Sequence, residues 1–321
     1  MDYMFDFQHL RDTLEAHCPQ MKAYASISDL HDVPSLLTPI DFKTNDVFGE
    51  WEEMARVSTI PAPAHWKAKF DIYIEAIRST KRLNSRPQGD PYRVQLMPSG
   101  MGFPVYSDSP ETRHDISALL RFRRDARLLA GAALFKLSGK YGANVDPRSG
   151  RDGDGFAGIH LRIDADVEDE LGKSIPEFAY QASESVKYVT DTGLKIAFLA
   201  TGGPRETITE FVEGAREFNL TVVTKEMLLE GGDLEQLRKL TYDQQAIVDY
   251  EIMKHATKMV GLGMSKFSGD LAIARAEAYG RKPILKVPEP EDTMMWKDEH
   301  TTLFWRMPGV DWAKWVKTWW P

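Results

Sequence analysis

Apolar positions recur at helical spacing from the start of the chain. Phe7, Leu10 and Leu14 follow Asp6 at i, i+3 and i+7, which predicts a helix over about 7–17. Met21–Ser26 reads as a short strand, and residues 27–61 as loop with short helices. Ala62–Thr80 places Trp66, Phe70, Ile74 and Ile77 on one helical face. Pro91–Met97 alternates like a strand. Glu111–Gly139 is a long helical pattern with a break near Arg123, and turn formers fill the stretch that follows.

The pattern changes in the second half. Strand-like runs at Phe156–Ile163, Leu194–Ala200, Leu220–Thr224, Thr257–Leu262 and Pro283–Val287 alternate with helical runs. The helical runs are Pro176–Thr190, Pro204–Phe218, Asp243–His255 and Ser268–Tyr279. Strands separated by helices of this length predict βαβ units around a parallel sheet. Ligands of such sheets bind beyond the carboxyl ends of the strands, so residues just after each strand are the candidates for chemistry. Three regions follow: an N-terminal lobe over 1–145, a Rossmann-like lobe over 146–290, and an aromatic segment over 291–321. That last segment holds six of the eight tryptophans, and Trp312, Trp315 and Trp319 predict a terminal helix packed on the body.

Composition narrows the function classes. The chain has 321 residues, 42% hydrophobic and 27% charged, as in globular proteins. A net charge of −8 argues against a nucleic-acid partner. Cys18 is the only cysteine, so no intrachain disulfide is expected. No run approaches the ~20 apolar residues of a membrane span. The first residues carry acids early and lack an apolar signal core, so a cytoplasmic location is expected.

Three constellations carry candidate chemistry. In Gly158-Ile159-His160-Leu161-Arg162, alternation puts His160 and Arg162 on one side of a buried strand. Arg there needs an anion, either a protein carboxylate or a bound phosphate, for which its planar fork is suited. His160 reads equally as a core histidine or a site residue. Asp164 and Asp166 beyond it read as a polar loop more readily than as a metal pair, and no metal site is expected. In Gly261-Leu262-Gly263-Met264-Ser265-Lys266-Phe267-Ser268, small residues and hydroxyls precede a helix, which suits helix capping and phosphate binding alike. A nucleophile elbow at Ser265 would want glycine where Phe267 stands. Asp243 is expected to cap the helix that holds Asp249, and both acids are otherwise unremarkable.

Taken in order, these pieces resemble the GDP-fucose protein O-fucosyltransferase-like glycosyltransferases. The family's His-x-Arg strand end is similar to His160–Arg162. Phe198-Leu199-Ala200-Thr201 resembles its next strand, with Gly202 where Asp is usual. Asp243 to Asp249 resembles its Asp-x5-Asp helix, and Gly261–Ser268 its phosphate turn, with Lys266 replacing a hydroxyl residue. Met4–Leu10 and Leu120-Arg121-Phe122 match more weakly, and the family's N-terminal glycine/asparagine-rich turn has no counterpart here. The resemblance implies a GT-B architecture of two Rossmann-like lobes with a C-terminal helix packing back. It implies inverting, metal-independent transfer of fucose from GDP-fucose, with no other cofactor, to a protein or small-molecule acceptor. Arg162, on the β-phosphate, and His160 would then be catalytic, Asp249 and Asp243 would read guanine, Ser265, Phe267 and Ser268 would form the phosphate turn, and Lys266 would also bind the donor. The missing glycine/asparagine-rich turn implies either a truncated chain or a family member that has lost canonical transfer, so two other outcomes stand beside transfer: different chemistry on a small metabolite, or binding without catalysis.

Overall fold

The computed structural model describes residues 3–19, 23–24, 26, 29, 40–42, 71–72, 75–76, 94–96, 118–146, 154–163, 175–263, 265–278 and 294–304. It is a mixed α/β protein with eight α-helices and eight strands among the described residues. The chain divides into two compact units. One comprises Met1–Asp2 and Phe7–Arg121, the other Tyr3–Asp6 and Phe122–Pro321.

In the first unit the helix expected over 7–17 is α1, Phe7–His17, which buries Leu10 and Leu14. Strands β1 (Ile40–Phe42) and β2 (Val94–Leu96) pair in parallel. β2 falls within the alternating run at 91–97. Most of the 21–26 and 62–80 stretches lies outside the described residues.

The second unit is built on a six-stranded sheet of order β5-β4-β3-β6-β8-β7. Its strands are β3 (Ala157–His160), β4 (Ile196–Ala200), β5 (Thr221–Val223), β6 (Lys258–Leu262), β7 (Met294–Lys297) and β8 (Thr301–Phe304). All neighbours are parallel except the edge strand β7. The chain runs outward from β3 through β4 to β5, then returns to place β6 on the other side of β3. That reversal is the doubly wound pattern and makes the β3/β6 boundary a topological switch point.

Because both faces are covered, the strands are apolar on both sides. Phe198, Ala200, Met259 and Leu303 face a core shared with α2 (Arg124–Tyr141), α7 (Tyr242–Met253) and α8 (Lys266–Ala278). Ala157, Ile159, Leu199, Val222 and Val260 face the opposite core, shared with α3 (Phe178–Thr192) and α4 (Arg205–Arg216). Two short helices, α5 (Lys225–Leu228) and α6 (Gly231–Lys239), follow β5. The break expected near Arg123 is real, since α2 begins at Arg124 and ends at Gly142 in the left-handed conformation that glycine adopts without strain. The sequence reading contained neither β7 and β8 nor α5 and α6. The expected strand at 283–287 and the tryptophan helix at 312–319 lie outside the described residues.

The segment Tyr3–Asp6 is strapped onto this second unit. The Tyr3 hydroxyl lies 2.6 Å from Thr241 Oγ1, and Gln244 Nε2 donates to the Tyr3 carbonyl at 2.9 Å. Phe5 forms an isolated bridge with Phe122 and stacks on it, with ring centroids 5.6 Å apart. Arg127 closes the strap with an ion pair to Asp6 at 3.0 Å.

Candidate functional site

A cleft of about 410 Å³ opens at the carboxyl edge of the sheet, within the size range of small-ligand pockets. The end of β3 supplies His160 and Arg162, the loop after β4 supplies Thr201, Gly202 and Gly203, and β5 leads into Lys225. Ser265, Lys266 and Phe267 come from the turn after β6. The remaining wall is one face of α7, formed by Tyr242, Gln245, Ala246 and Asp249 at i, i+3, i+4 and i+7.

Arg162 is held by its backbone. Gln181, buried on α3, accepts from the Arg162 N–H at 2.9 Å and donates to its carbonyl at 3.0 Å. Backbone groups just past a strand end have lost their ladder, so this amide replaces the missing partners and fixes where the guanidinium starts. Arg162 and His160 share the cleft, as their alternation predicts.

His160 is buried against α8. Its Nδ1 lies 2.7 Å from Ser268 Oγ. Its ring packs on Phe267 with centroids 4.6 Å apart, and Phe267 in turn meets the edge of Tyr250. This close packing depends on Gly261 in β6. A Cβ there would come within 2.5 Å of Ser268 Oγ and 3.4 Å of His160 Cβ.

Ser265 opens α8, its carbonyl accepting the first helical bond, from Gly269 N–H at 3.0 Å. The helix therefore begins at Lys266 rather than at Ser268, and its N-terminal N–H groups lie beside the cleft residues Ser265–Phe267. Lys266 is exposed and bridges to Asp270 at 3.1 Å. Burial pushes the Asp270 carboxyl up, against the opposing charge of Lys266.

The opposite wall carries a buried ion pair. Lys225 Nζ donates to Asp249 Oδ2 at 2.6 Å, with the two residues 6% and 4% exposed. Burial pushes the Lys225 ammonium down, but Asp249 and Glu226 outweigh it, so the net direction is up.

Of the residues singled out from sequence, His160, Arg162, Asp249, Ser265, Lys266 and Phe267 line this one cleft. Ser268 does not line it: it is fully buried behind His160. Asp243 does not line it either. It is not the helix cap, because Thr241 and Gln244 form a capping box at the start of α7 and leave Asp243 exposed, hydrogen-bonded by Tyr3. Asp164 and Asp166 lie outside the described residues. Lys225 joins the cleft residues from just past β5, with only its strand-end position to mark it in the sequence. Among the described residues no cluster of His, Cys, Asp and Glu could hold a metal. No described helix is long and apolar enough to cross a membrane.

No family model matches the chain, and no curated protein is similar to it. Among solved structures, a crystal structure of POFUT1 in complex with GDP-fucose is similar at 15% identity. The match covers 86% of this chain and 80% of that one, with a TM-score of 0.42. These values describe a distant geometric likeness.

Proposed function

We propose that the protein is a glycosyltransferase that takes a sugar, fucose or a close relative, from a GDP donor held in this cleft. The observation that carries the reading is the convergence of Arg162, Lys266 and the start of α8 on one cleft at the sheet's switch point. Such a place favours a diphosphate. The guanidinium offers a bidentate fork, the helix start offers N–H groups and the positive end of its dipole, and the ammonium adds charge. The motif resemblance points to guanosine and fucose as the groups on either side of that diphosphate, within a GT-B scaffold whose donor lobe is the second unit.

In this reading an acceptor hydroxyl attacks the anomeric carbon as the bond to the β-phosphate oxygen breaks, the bond electrons leaving with GDP and the hydroxyl proton passing to water. Negative charge grows on that oxygen, and Arg162 with the start of α8 stabilises it without needing a metal ion.

Calorimetry with GDP, inorganic phosphate and guanosine tests the assignment. GDP is expected to bind at least tenfold more tightly than guanosine, and incubation with GDP-fucose and candidate acceptors is expected to release GDP. Equal affinity for GDP and guanosine, or binding of neither, would remove the diphosphate from the cleft.

A further inference from the structure

The hydroxyl of Ser268 has one hydrogen-bond partner among the described residues, His160 Nδ1, and Ser268 is 0% exposed. A serine hydroxyl carries one proton, and a buried polar hydrogen left without an acceptor costs about 1–3 kcal/mol. The imidazole nitrogen is the acceptor within reach. If Nδ1 kept its own proton, the serine would have to receive that hydrogen bond and turn its own hydrogen into apolar packing. Gly261 presses on one side of the hydroxyl, since even a methyl group there would lie 2.5 Å from it. Phe267 holds the imidazole face at 4.6 Å and limits its rotation.

We infer that Ser268 is a positioning residue that donates its proton to His160 Nδ1 and so fixes the neutral imidazole as the Nε2–H tautomer. His160 then presents an N–H, rather than a basic nitrogen, on the side of the ring away from Ser268. This deepens the nucleotide-sugar reading and rests on it only for the effect on GDP affinity. The tautomer itself is a property of the unliganded protein. It also gives Gly261 and Ser268 one shared purpose, with no contact between either of them and ligand.

The test is nitrogen NMR of the histidine side chains in the full chain, with His160 assigned by His160→Gln, recorded near pH 8 where imidazoles are neutral. The expected spectrum has His160 Nδ1 as the unprotonated, pyridine-like nitrogen and Nε2 as the protonated one. In Ser268→Ala the two tautomers should mix, and GDP should bind about fivefold more weakly, the effect of one neutral hydrogen bond. A purely structural serine would shift melting temperature without changing the tautomer ratio. Protonated Nδ1 in the wild-type protein overturns the inference, and so does an unchanged ratio in a folded Ser268→Ala. Should Ser268→Ala not fold, the wild-type spectrum alone decides. A fixed Nε2–H tautomer in a protein that binds neither GDP nor phosphate would leave this inference standing and sink the proposed function.

Discussion

Two arginines at opposite ends of the sheet show how one side chain serves different purposes. Arg275 on α8 sits by the amino ends of β6 and β8 and is 1% exposed. Its guanidinium donates to the carbonyls of Met253, Lys254, Ala256 and His300 and to Thr301 Oγ1. Three of those carbonyls lie at and just past the end of α7, where the helix leaves acceptors unmet and its dipole favours a cation. The charge is thus spent on holding α7, α8 and β8 together. Arg162 is at the carboxyl end, half-buried, with its backbone anchored by Gln181, and it lines the cleft. A cation enclosed by carbonyls is a staple, whereas one that lines a cleft at a strand end can meet a ligand.

Exchanging each arginine for methionine tests this contrast most strongly. Arg275→Met removes a donor from four carbonyls and Thr301 Oγ1 and should cost on the order of 5 kcal/mol in urea unfolding, with GDP affinity unchanged in the protein that remains folded. Arg162→Met should stay within about 1 kcal/mol of the wild type and lose GDP binding and turnover. Comparable losses of stability in both variants would erase the distinction.

The Lys225–Asp249 pair lies between these extremes, being buried like the staple yet part of the cleft wall. Lys225→Met removes the ammonium that donates to buried Asp249 and should cost roughly 3 kcal/mol at neutral pH. The folded pKa of Lys225 is raised, by Asp249 and Glu226 against the opposing effect of burial. Its stabilising contribution is therefore complete below the ordinary value of 10.5 and is lost as pH rises through the higher folded value. A urea midpoint that declines above pH 10.5 in the wild type, with that part of the decline missing in Lys225→Met, is the expected result. Identical alkaline profiles would show that the pair is not what titrates.

The smallest effect is expected at Asp270, close to the cleft turn. Its folded pKa is raised by burial, so the wild type carries a penalty at neutral pH that vanishes as the carboxyl protonates. Asp270→Asn should be more stable at pH 7 by no more than about 0.5 kcal/mol, because the Lys266 pair is lost with it. Melting curves should converge as pH falls towards 4. A variant less stable at pH 7 would mean that the ion pair outweighs burial.

The parallel sheet was legible because its strands are short apolar runs set between helical patterns, and β3, β4, β5 and β6 appear where those runs lie. β8 was not. Thr301-Thr302-Leu303-Phe304 is only four residues long and half hydroxyl, and its threonines become core only because Arg275 and its parallel partner β6 meet them. Arg275 was hidden for the same reason, since an arginine in an alanine-rich helix reads as a solvent-facing position until β8 covers it. His160, Arg162 and the Ser265–Phe267 turn were legible from strand-end position and residue type. Lys225 was not, because its partner is Asp249, 24 residues further on. The burial of Ser268 was hidden in the same way. A hydroxyl in a glycine-rich turn suits a phosphate equally well, and only the helix start at Lys266 turns it inward.

The strap at Tyr3–Asp6 has a consequence for how the chain is made. Its hydroxyl contact to Thr241 spans 238 positions, so the strap leaves the ribosome well before this partner does. At about 5–20 residues per second that interval is roughly ten to fifty seconds. Phe122 and Arg127 emerge midway and can seat the strap early through Phe5 and Asp6. The hydrogen bonds from Thr241 and Gln244 follow only once α7 has been synthesised. Vectorial synthesis therefore closes the second unit in two stages. A ribosome-bound chain arrested before residue 240 would hold the strap by its contacts with Phe122, Arg123 and Arg127, without those of α7.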